Sequence, residues 1–256
     1  MSKPIDILGR SFRLIFAEPG RTLKVIAPGV ALVAVATAFL FGSLANMSDN
    51  DLTPPEPVSW PLVVVAIIVG LLGAMVFAIF WHRHALLEGD QREDVMRPTS
   101  AIYGAYFKCA LIVGFVFFVV ALLGSIATGF VVAILAAATG PVGAVISIIL
   151  FLVLAIVLSW VLLRISLILP AAATGHIMTY SESWEATRAS SRDIFWTAVL
   201  LGVINVVLEQ LAQGLILAVP NLAIFFAVLQ GLLQSLIYVS VLSTLYGHLV
   251  QGRPLT

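Results

Sequence analysis

Long apolar stretches alternate with short polar segments along the whole chain. An α-helix rises about 1.5 Å per residue, so about twenty residues cross the roughly 30 Å hydrocarbon core of a bilayer. Six stretches reach that length with almost no charge, and they predict six membrane spans at about 23–44, 60–81, 101–125, 144–168, 194–218 and 222–248. Short connections then favour three consecutive helical hairpins within one membrane domain over residues 1–256.

Two polar segments have the pattern of interfacial helices. In residues 4–18, apolar side chains recur at helical spacing, namely Ile5, Leu8, Phe12 and Ile15. This predicts an amphipathic helix lying on the membrane before span one. Before span five, Thr179 and Glu182 have the spacing of a capping box, with Ser181 as a competing cap. The fold class that follows is an all-α integral membrane protein with two additional amphipathic helices.

The connection between spans three and four is longer than a simple turn requires. From Ala101 to Pro170 only Lys108 and Arg164 are charged. Two full spans need only about forty to fifty residues. The excess, at about 125–142, predicts a short apolar piece at the outer surface or an extension of one helix, and a re-entrant segment is the less favoured alternative. We expect Lys108 and Arg164 to extend toward the headgroups.

Charge is divided between the two sides of the predicted membrane. The thirteen Lys and Arg residues all fall in segments assignable to one side, whereas the loop at 46–59 carries Asp49, Asp51 and Glu56. Segments rich in Lys and Arg stay in the cytoplasm. The pattern therefore predicts that both termini are cytoplasmic.

Composition excludes several classes of function. Hydrophobic residues make up 61% of the chain and charged residues only 10%, against about 25% charged residues in an ordinary soluble domain. The sequence has no basic tail of the kind that would indicate a nucleic-acid partner. The single cysteine, Cys109, excludes an internal disulfide and a cysteine metal cluster. We expect it to be a buried small residue.

Candidate chemistry is sparse. The sequence contains no Walker-type glycine loop, no H-E-x-x-H and no G-x-S-x-G, so we predict no catalytic residues and no cofactor. His82 and His84 could supply two metal ligands, and His176 and His248 also lie at predicted cytoplasmic ends. No third histidine is close in sequence, so we interpret the pair as part of a solvated loop and predict no metal site.

The last hairpin carries the only concentrated polarity within the predicted spans. In span five, Asn205, Glu209 and Gln213 are spaced four residues apart and share one face, with Gln210 beside them. Span six repeats the spacing with Gln230 and Gln234. Folding about Pro220-Asn221 places Glu209 level with Gln230, near the bilayer centre. The same fold places Asn205 level with Gln234. An ionised carboxylate there costs at least about 2.5–3.5 kcal/mol.

Three interpretations of this polar stripe remain open. Glu209 could be a proton or cation site of a small transporter. A neutral Glu209 could instead donate a hydrogen bond to Gln230 or Gln234 and hold the hairpin together. The stripe could also face a partner membrane protein or a lipid headgroup.

Several boundary motifs resemble those of a known group. They are LGRSFRLIF at 8–16, WHRHALL at 81–87, RISLILP at 164–170 with SWEATR at 183–188, and LYGHL at 245–249. The chain resembles poorly characterised six-span bacterial inner-membrane proteins, which are similar to the membrane domain fused to some glycerophosphodiester phosphodiesterases. The resemblance implies a helical integral protein of the bacterial inner membrane. It implies no catalysis, because the phosphodiesterase chemistry belongs to a soluble domain.

The leading hypothesis from sequence is a non-enzymatic integral membrane protein that acts as scaffold, assembly factor or accessory subunit of a membrane complex. Its partners would be the lipid bilayer and other membrane proteins. The alternative is a small transporter or channel that uses the polar stripe around Glu209.

Overall fold

The computed structural model describes residues 4–45, 60–89, 94–139 and 141–255, and within those ranges the secondary structure is helical. The predicted acidic loop with Asp49, Asp51 and Glu56 lies outside them. The helices are α1 (Pro4–Phe16), α2 (Pro19–Ala45), α3 (Trp60–Leu86), α4 (Ser100–Thr139), α5 (Pro141–Ile165), α6 (Ile168–Ala173), α7 (Tyr180–Ala186), α8 (Ser191–Ala218) and α9 (Ala223–Leu249).

Six helical segments are long and apolar enough to cross a membrane, which confirms the predicted fold class. They are Pro19–Leu40, Trp60–Leu86, Ser100–Leu135, Val145–Ala173, Ser191–Ala218 and Pro220–Leu249. Helices form these spans because lipid offers no hydrogen-bond partner to the backbone, so each peptide group must be satisfied within its own segment. In the most apolar stretch of each span, most side chains are either exposed or only partly buried, as expected for surfaces that lie against lipid.

Consecutive spans pair as three hairpins, α2 with α3, α4 with α5, and α8 with α9. The first pair packs most closely, because glycines let the two backbones approach. A Cβ added at Gly29 would lie 2.5 Å from the Cβ of Phe77, and one added at Gly73 would lie 2.9 Å from the carbonyl oxygen of Gly29.

The connection between the third and fourth spans is an extension of one helix. Helix α4 continues without interruption to Thr139, and α5 begins at Pro141. No re-entrant segment occurs in the described part of this region. Gly124 and Gly129 do not break α4, and a Cβ added at Gly124 would lie 2.6 Å from Cδ1 of Leu154 on α5. Of the alternatives expected for residues 125–142, the structure shows the extension of one helix, because glycine is tolerated within helices in an apolar medium.

The densest packing lies at one end of the bundle, where α1 docks onto α8 and α9. Helix α1 buries Ile7, Leu8, Ser11 and Ile15, whereas Ile5 is 73% exposed. Of the predicted apolar stripe, Leu8 and Ile15 are therefore buried against the bundle, whereas Ile5 is not. Phe12 is partly buried and its ring stacks on that of Phe16, with 6.3 Å between centroids.

Helix α7 begins with the predicted capping box. The hydroxyl of Thr179 accepts a hydrogen bond from the backbone N–H of Glu182 at 3.2 Å, and the Glu182 carboxylate accepts one from the backbone N–H of Thr179 at 2.7 Å. Hydrogen bonds from the backbone and the side chain of Thr179 hold the pKa of Glu182 below its usual value. Thr179, and not Ser181, is the N-cap.

Candidate functional site

The polar stripe of α8 lies on the outside of the bundle. The protein-facing side of α8 is formed by Ile194, Thr197, Ala198, Leu201 and Ala212. Glu209, Gln210 and Gln213 are exposed. None of the three forms a hydrogen bond or ion pair with another residue in the described ranges, and we call them the α8 polar face. Glu209 lies nine residues before the last residue of α8, or about 14 Å along the helix axis.

The remaining polar residues of the last hairpin are paired with each other. The side-chain amide of Asn205 donates to the hydroxyl of Tyr238 at 2.9 Å, which links α8 to α9. Gln230 donates to Gln234 on the same helix at 3.3 Å. The predicted hydrogen bond from Glu209 to Gln230 or Gln234 is not formed.

The hydrogen bond between Asn205 and Tyr238 is compatible with the register predicted for this hairpin. Side chains on a helix point toward its N-terminus, so the hydroxyl of Tyr238 can lie about one turn before its own Cα, near the level of Gln234. The two helices are connected by a single 3₁₀ turn at Pro220–Leu222.

Apolar side chains surround the α8 polar face. Val206, Val207 and Leu211 on the same helix are each at least half exposed. The exposed surface of α8 is therefore apolar with three central polar side chains. Such a surface can pack against another transmembrane helix and form hydrogen bonds with it.

A buried polar network joins α1, α3 and α9 at the densely packed end. His82 has no exposed surface, and its Nδ1 lies 2.9 Å from the hydroxyl of Ser243. Ser11 of α1 donates to the hydroxyl of Thr244 at 3.0 Å. The prediction that His82 lies in a solvated loop was wrong, because α3 continues to Leu86 and carries His82 into the core.

The four histidines do not converge. His248 Nδ1 lies 2.8 Å from the carbonyl oxygen of Arg253, and His176 Nδ1 lies 3.4 Å from the hydroxyl of Thr174. Across the described ranges, no group of three or more His, Cys, Asp or Glu side chains is placed to hold a metal ion. Cys109 is half-buried and packs against the core.

Two arginines are buried, and neither forms a salt bridge with a carboxylate of the described residues. Arg164 lies over the ring of Trp184 at 3.5 Å and within 5.3 Å of the Trp160 ring. Its guanidinium donates to the Thr187 hydroxyl at 3.1 Å and to the Trp184 carbonyl at 3.0 Å. The expectation that Arg164 extends toward the headgroups was wrong, because α7 folds back over the end of α5 and encloses it. Lys108, in contrast, is exposed.

Arg83 is held in a similar way. It donates to the backbone carbonyls of Val95, Ala173 and Asp94, at 3.2, 3.1 and 2.8 Å. These contacts join the end of α3 to the segment before α4 and to α6. Both arginines therefore fix the connections between the hairpins, and neither presents an open charge to a ligand.

Comparisons with protein-family models, with curated proteins and with solved structures give no match to this chain. Support for a function therefore comes from the site residues and their contacts.

Proposed function

We propose that this chain is a non-enzymatic protein of the bacterial inner membrane that acts as a scaffold, assembly factor or accessory subunit of a membrane complex. Its partner would bind to the α8 polar face. The observation that supports this proposal is the exposure of Glu209, Gln210 and Gln213 in the middle of a membrane-spanning helix, without a partner among the described residues.

Lipid alone is a poor environment for the α8 polar face, because hydrocarbon cannot form hydrogen bonds with these side chains. A polar group without a hydrogen-bond partner costs roughly 2–7 kcal/mol in an apolar medium, and an ionised carboxylate near the centre of a helix costs at least about 2.5–3.5 kcal/mol. A partner helix with polar side chains would reduce these penalties. Each interhelical hydrogen bond in a membrane contributes about 0.6–2 kcal/mol.

The transport alternative has less structural support. A proton or cation path needs water or a chain of polar groups that leads to the carboxylate. Two cavities of about 610 and 640 Å³ between the membrane-spanning helices are lined almost entirely by apolar side chains among the described residues, and neither is lined by Glu209. Glu209 instead faces away from the bundle.

The proposed orientation places both termini in the cytoplasm. It is supported by the distribution of all thirteen Lys and Arg residues. The densely packed end, with α1, α6 and α7, would then face the cytoplasm, and the 3₁₀ turn at Pro220–Leu222 would face the opposite side.

Site-specific cross-linking in native membranes tests the proposed partner surface. A photoreactive amino acid at Gln210 should form an adduct with one defined membrane protein, and the same amino acid at Ile148 on α5 should label lipid only. Ile148 is a matched control because it is 69% exposed on another membrane-spanning helix. Equal protein labelling at both positions, or none at Gln210, would contradict the proposal.

Substitutions at Glu209 distinguish the two functions. Glu209→Leu should abolish co-purification of the cross-linked partner under mild solubilisation, whereas Glu209→Gln, which keeps hydrogen-bonding atoms, should retain most of it. A transporter would respond differently, with Glu209→Gln losing proton or cation flux in vesicles while its partner content stays unchanged. That second result would replace the accessory-subunit proposal with the transport alternative.

A further inference from the structure

A polar cleft opens at the densely packed end of the molecule, between α1, the end of α3 and the C-terminal tail. It has a volume of about 310 Å³, and its polar lining is formed by Arg10, Arg13, Glu18, His84, Glu88 and Arg253. We call it the α1–α3 cleft. It is distinct from the α8 polar face, so its ligand is independent of the proposed membrane partner.

The α1–α3 cleft lies at the edge of the membrane. Glu18 directly precedes the first membrane-spanning segment, which begins at Pro19, and Glu88 lies two residues beyond the second, which ends at Leu86. Because a span ends where the hydrocarbon core meets the polar headgroups, these two side chains lie at headgroup level. A ligand can therefore reach the cleft from the lipid headgroups or from the adjoining water.

The two carboxylates of the lining are paired with arginines. Glu88 forms an ion pair with Arg253 at 3.2 Å, and Glu18 forms one with Arg21 at 3.5 Å. Arg253 also donates to two backbone carbonyls at the end of α3. The charge of Arg253 is thus neutralised, and its side chain fixes the C-terminal tail as one wall of the cleft.

The guanidinium groups of Arg10 and Arg13 remain without a carboxylate among the described residues. Arg10 is half-buried and forms no hydrogen bond or ion pair with any residue in the described ranges. Arg13 donates to the carbonyl oxygen of Leu255 at 2.7 Å, which holds its guanidinium in place. An arginine has five N–H donors, so most donors of both side chains are available to a ligand.

These two guanidinium groups lie close enough to contact one anion. Arg10 and Arg13 are three residues apart on α1, a spacing that places their Cβ atoms about 5–6 Å from each other. Like charges at this spacing repel, and an anion between them removes the repulsion. A phosphoryl group suits the pair, because its oxygens accept parallel hydrogen bonds from the planar guanidinium fork.

We propose that the α1–α3 cleft binds a phosphoryl group, carried either by a membrane phospholipid or by a soluble phosphate. The N–H groups of Arg10 and Arg13 donate to the phosphoryl oxygens. Arg253, held by Glu88, keeps the wall of the cleft in place. The bound group balances the two positive charges that α1 carries to headgroup level.

Thermal unfolding of the full-length protein in a neutral detergent tests this site, because a ligand that binds only the native state raises the unfolding temperature. The two probes are phosphatidylglycerol in mixed micelles and inorganic phosphate. Their controls are diacylglycerol with the same acyl chains and sodium chloride at the same ionic strength. At least one probe should stabilise wild type more than its control does, and stabilisation by neither would overturn the proposal. Stabilisation by the lipid alone identifies a headgroup phosphate, whereas stabilisation by inorganic phosphate identifies a soluble source.

A charge-matched pair of variants assigns the stabilisation to the cleft. Arg10→Gln should raise the probe concentration for half-maximal stabilisation by about tenfold or more, because it removes charge-assisted hydrogen bonds. Arg97→Gln removes the same charge from an exposed position between α3 and α4, outside the cleft, and should bind like wild type. Unchanged binding by Arg10→Gln, or equal weakening in both variants, would overturn the proposal.

The unfolding temperature without a probe shows whether each variant folds. If Arg10→Gln fails to fold, Arg10→Lys takes its place. It keeps the charge but loses the planar fork, so it should bind the probe more weakly than wild type does. Binding by Arg10→Lys equal to that of wild type would overturn the assignment of Arg10 as a ligand of the phosphoryl group.

Discussion

At the scale of single residues, Arg164 shows how this protein accommodates a charge that its sequence places near lipid. The guanidinium lies over the Trp184 ring at 3.5 Å, with the Trp160 ring 5.3 Å away, and it donates to a hydroxyl and a carbonyl. Guanidinium is more weakly hydrated than ammonium and stacks on aromatic rings, which suits it to such a site.

We predict that Arg164→Met lowers the free energy of unfolding by about 1–3 kcal/mol, because it removes the cation–π contacts and leaves buried acceptors unpaired. Arg164→Lys should also be destabilising, since an ammonium cannot replace the planar stacking. Unfolding in mixed micelles, followed by the fluorescence of Trp160 and Trp184, measures the effect. Arg188→Met is the control, because the Arg188 side chain is 75% exposed and its ion pair with Glu185 should contribute less than about 1 kcal/mol. Similar losses in the two variants would contradict this account of Arg164.

The burial of His82 and Arg164 could not be predicted from the sequence. Each residue follows an apolar run and adjoins polar segments, which is also the pattern of an interfacial residue. His82 forms a hydrogen bond with Ser243, which lies 161 positions away in the sequence, and no local periodicity predicts such a contact. The polar stripe at Glu209 was visible in the sequence. Whether it faces α9 or the outside depends on how α8 is rotated against its neighbours, which the local sequence does not show.

At the scale of elements, the α2–α3 pair depends on two glycines that let the helix backbones touch. The number of spans followed directly from the lengths of the apolar runs and the thickness of a bilayer. Which helices pack together most closely could not be predicted, because a glycine inside a span can lie at a helix contact or face open space. Only the neighbouring helix distinguishes them, and Gly29 meets Phe77 whereas Gly114 meets no atom within 4 Å.

We predict that Gly29→Ala destabilises the protein, because the new Cβ would meet the backbone of Phe77 at 2.6 Å and force the two helices apart. Overpacking of this kind typically costs about 1–3 kcal/mol. Gly114→Ala, also within a membrane-spanning helix, should change stability by less than about 0.5 kcal/mol or increase it slightly. Thermal unfolding of both variants in the same detergent makes the comparison. If Gly29→Ala is as stable as Gly114→Ala, the close α2–α3 contact does not exist in solution.

At the scale of the whole molecule, the hairpins are joined mainly at one end. There α1 packs on α8 and α9, Arg83 ties α3 to α6, and Arg164 ties α5 to α7. Away from that end, grooves of about 610 and 640 Å³ lie on either side of α3. The sequence could predict the spans because each one is a local property, but not this uneven packing, which depends on contacts between hairpins.

The orientation of the molecule is the last feature that can be tested. Lys and Arg are retained on the cytoplasmic side during insertion, so the densely packed end should face the cytoplasm. We predict that in a Cys109→Ser background a membrane-impermeant maleimide labels Asp51→Cys on spheroplasts. Tyr180→Cys and Gln251→Cys, at exposed positions of the other end, should react only after the membrane is permeabilised. Cys109→Ser alone is the unlabelled control. Five candidate spans lie between Asp51 and Gln251, which puts the two positions on opposite sides. Labelling of Asp51→Cys and Gln251→Cys from the same side would require an even number of crossings between them, and the arrangement of the spans would then be wrong.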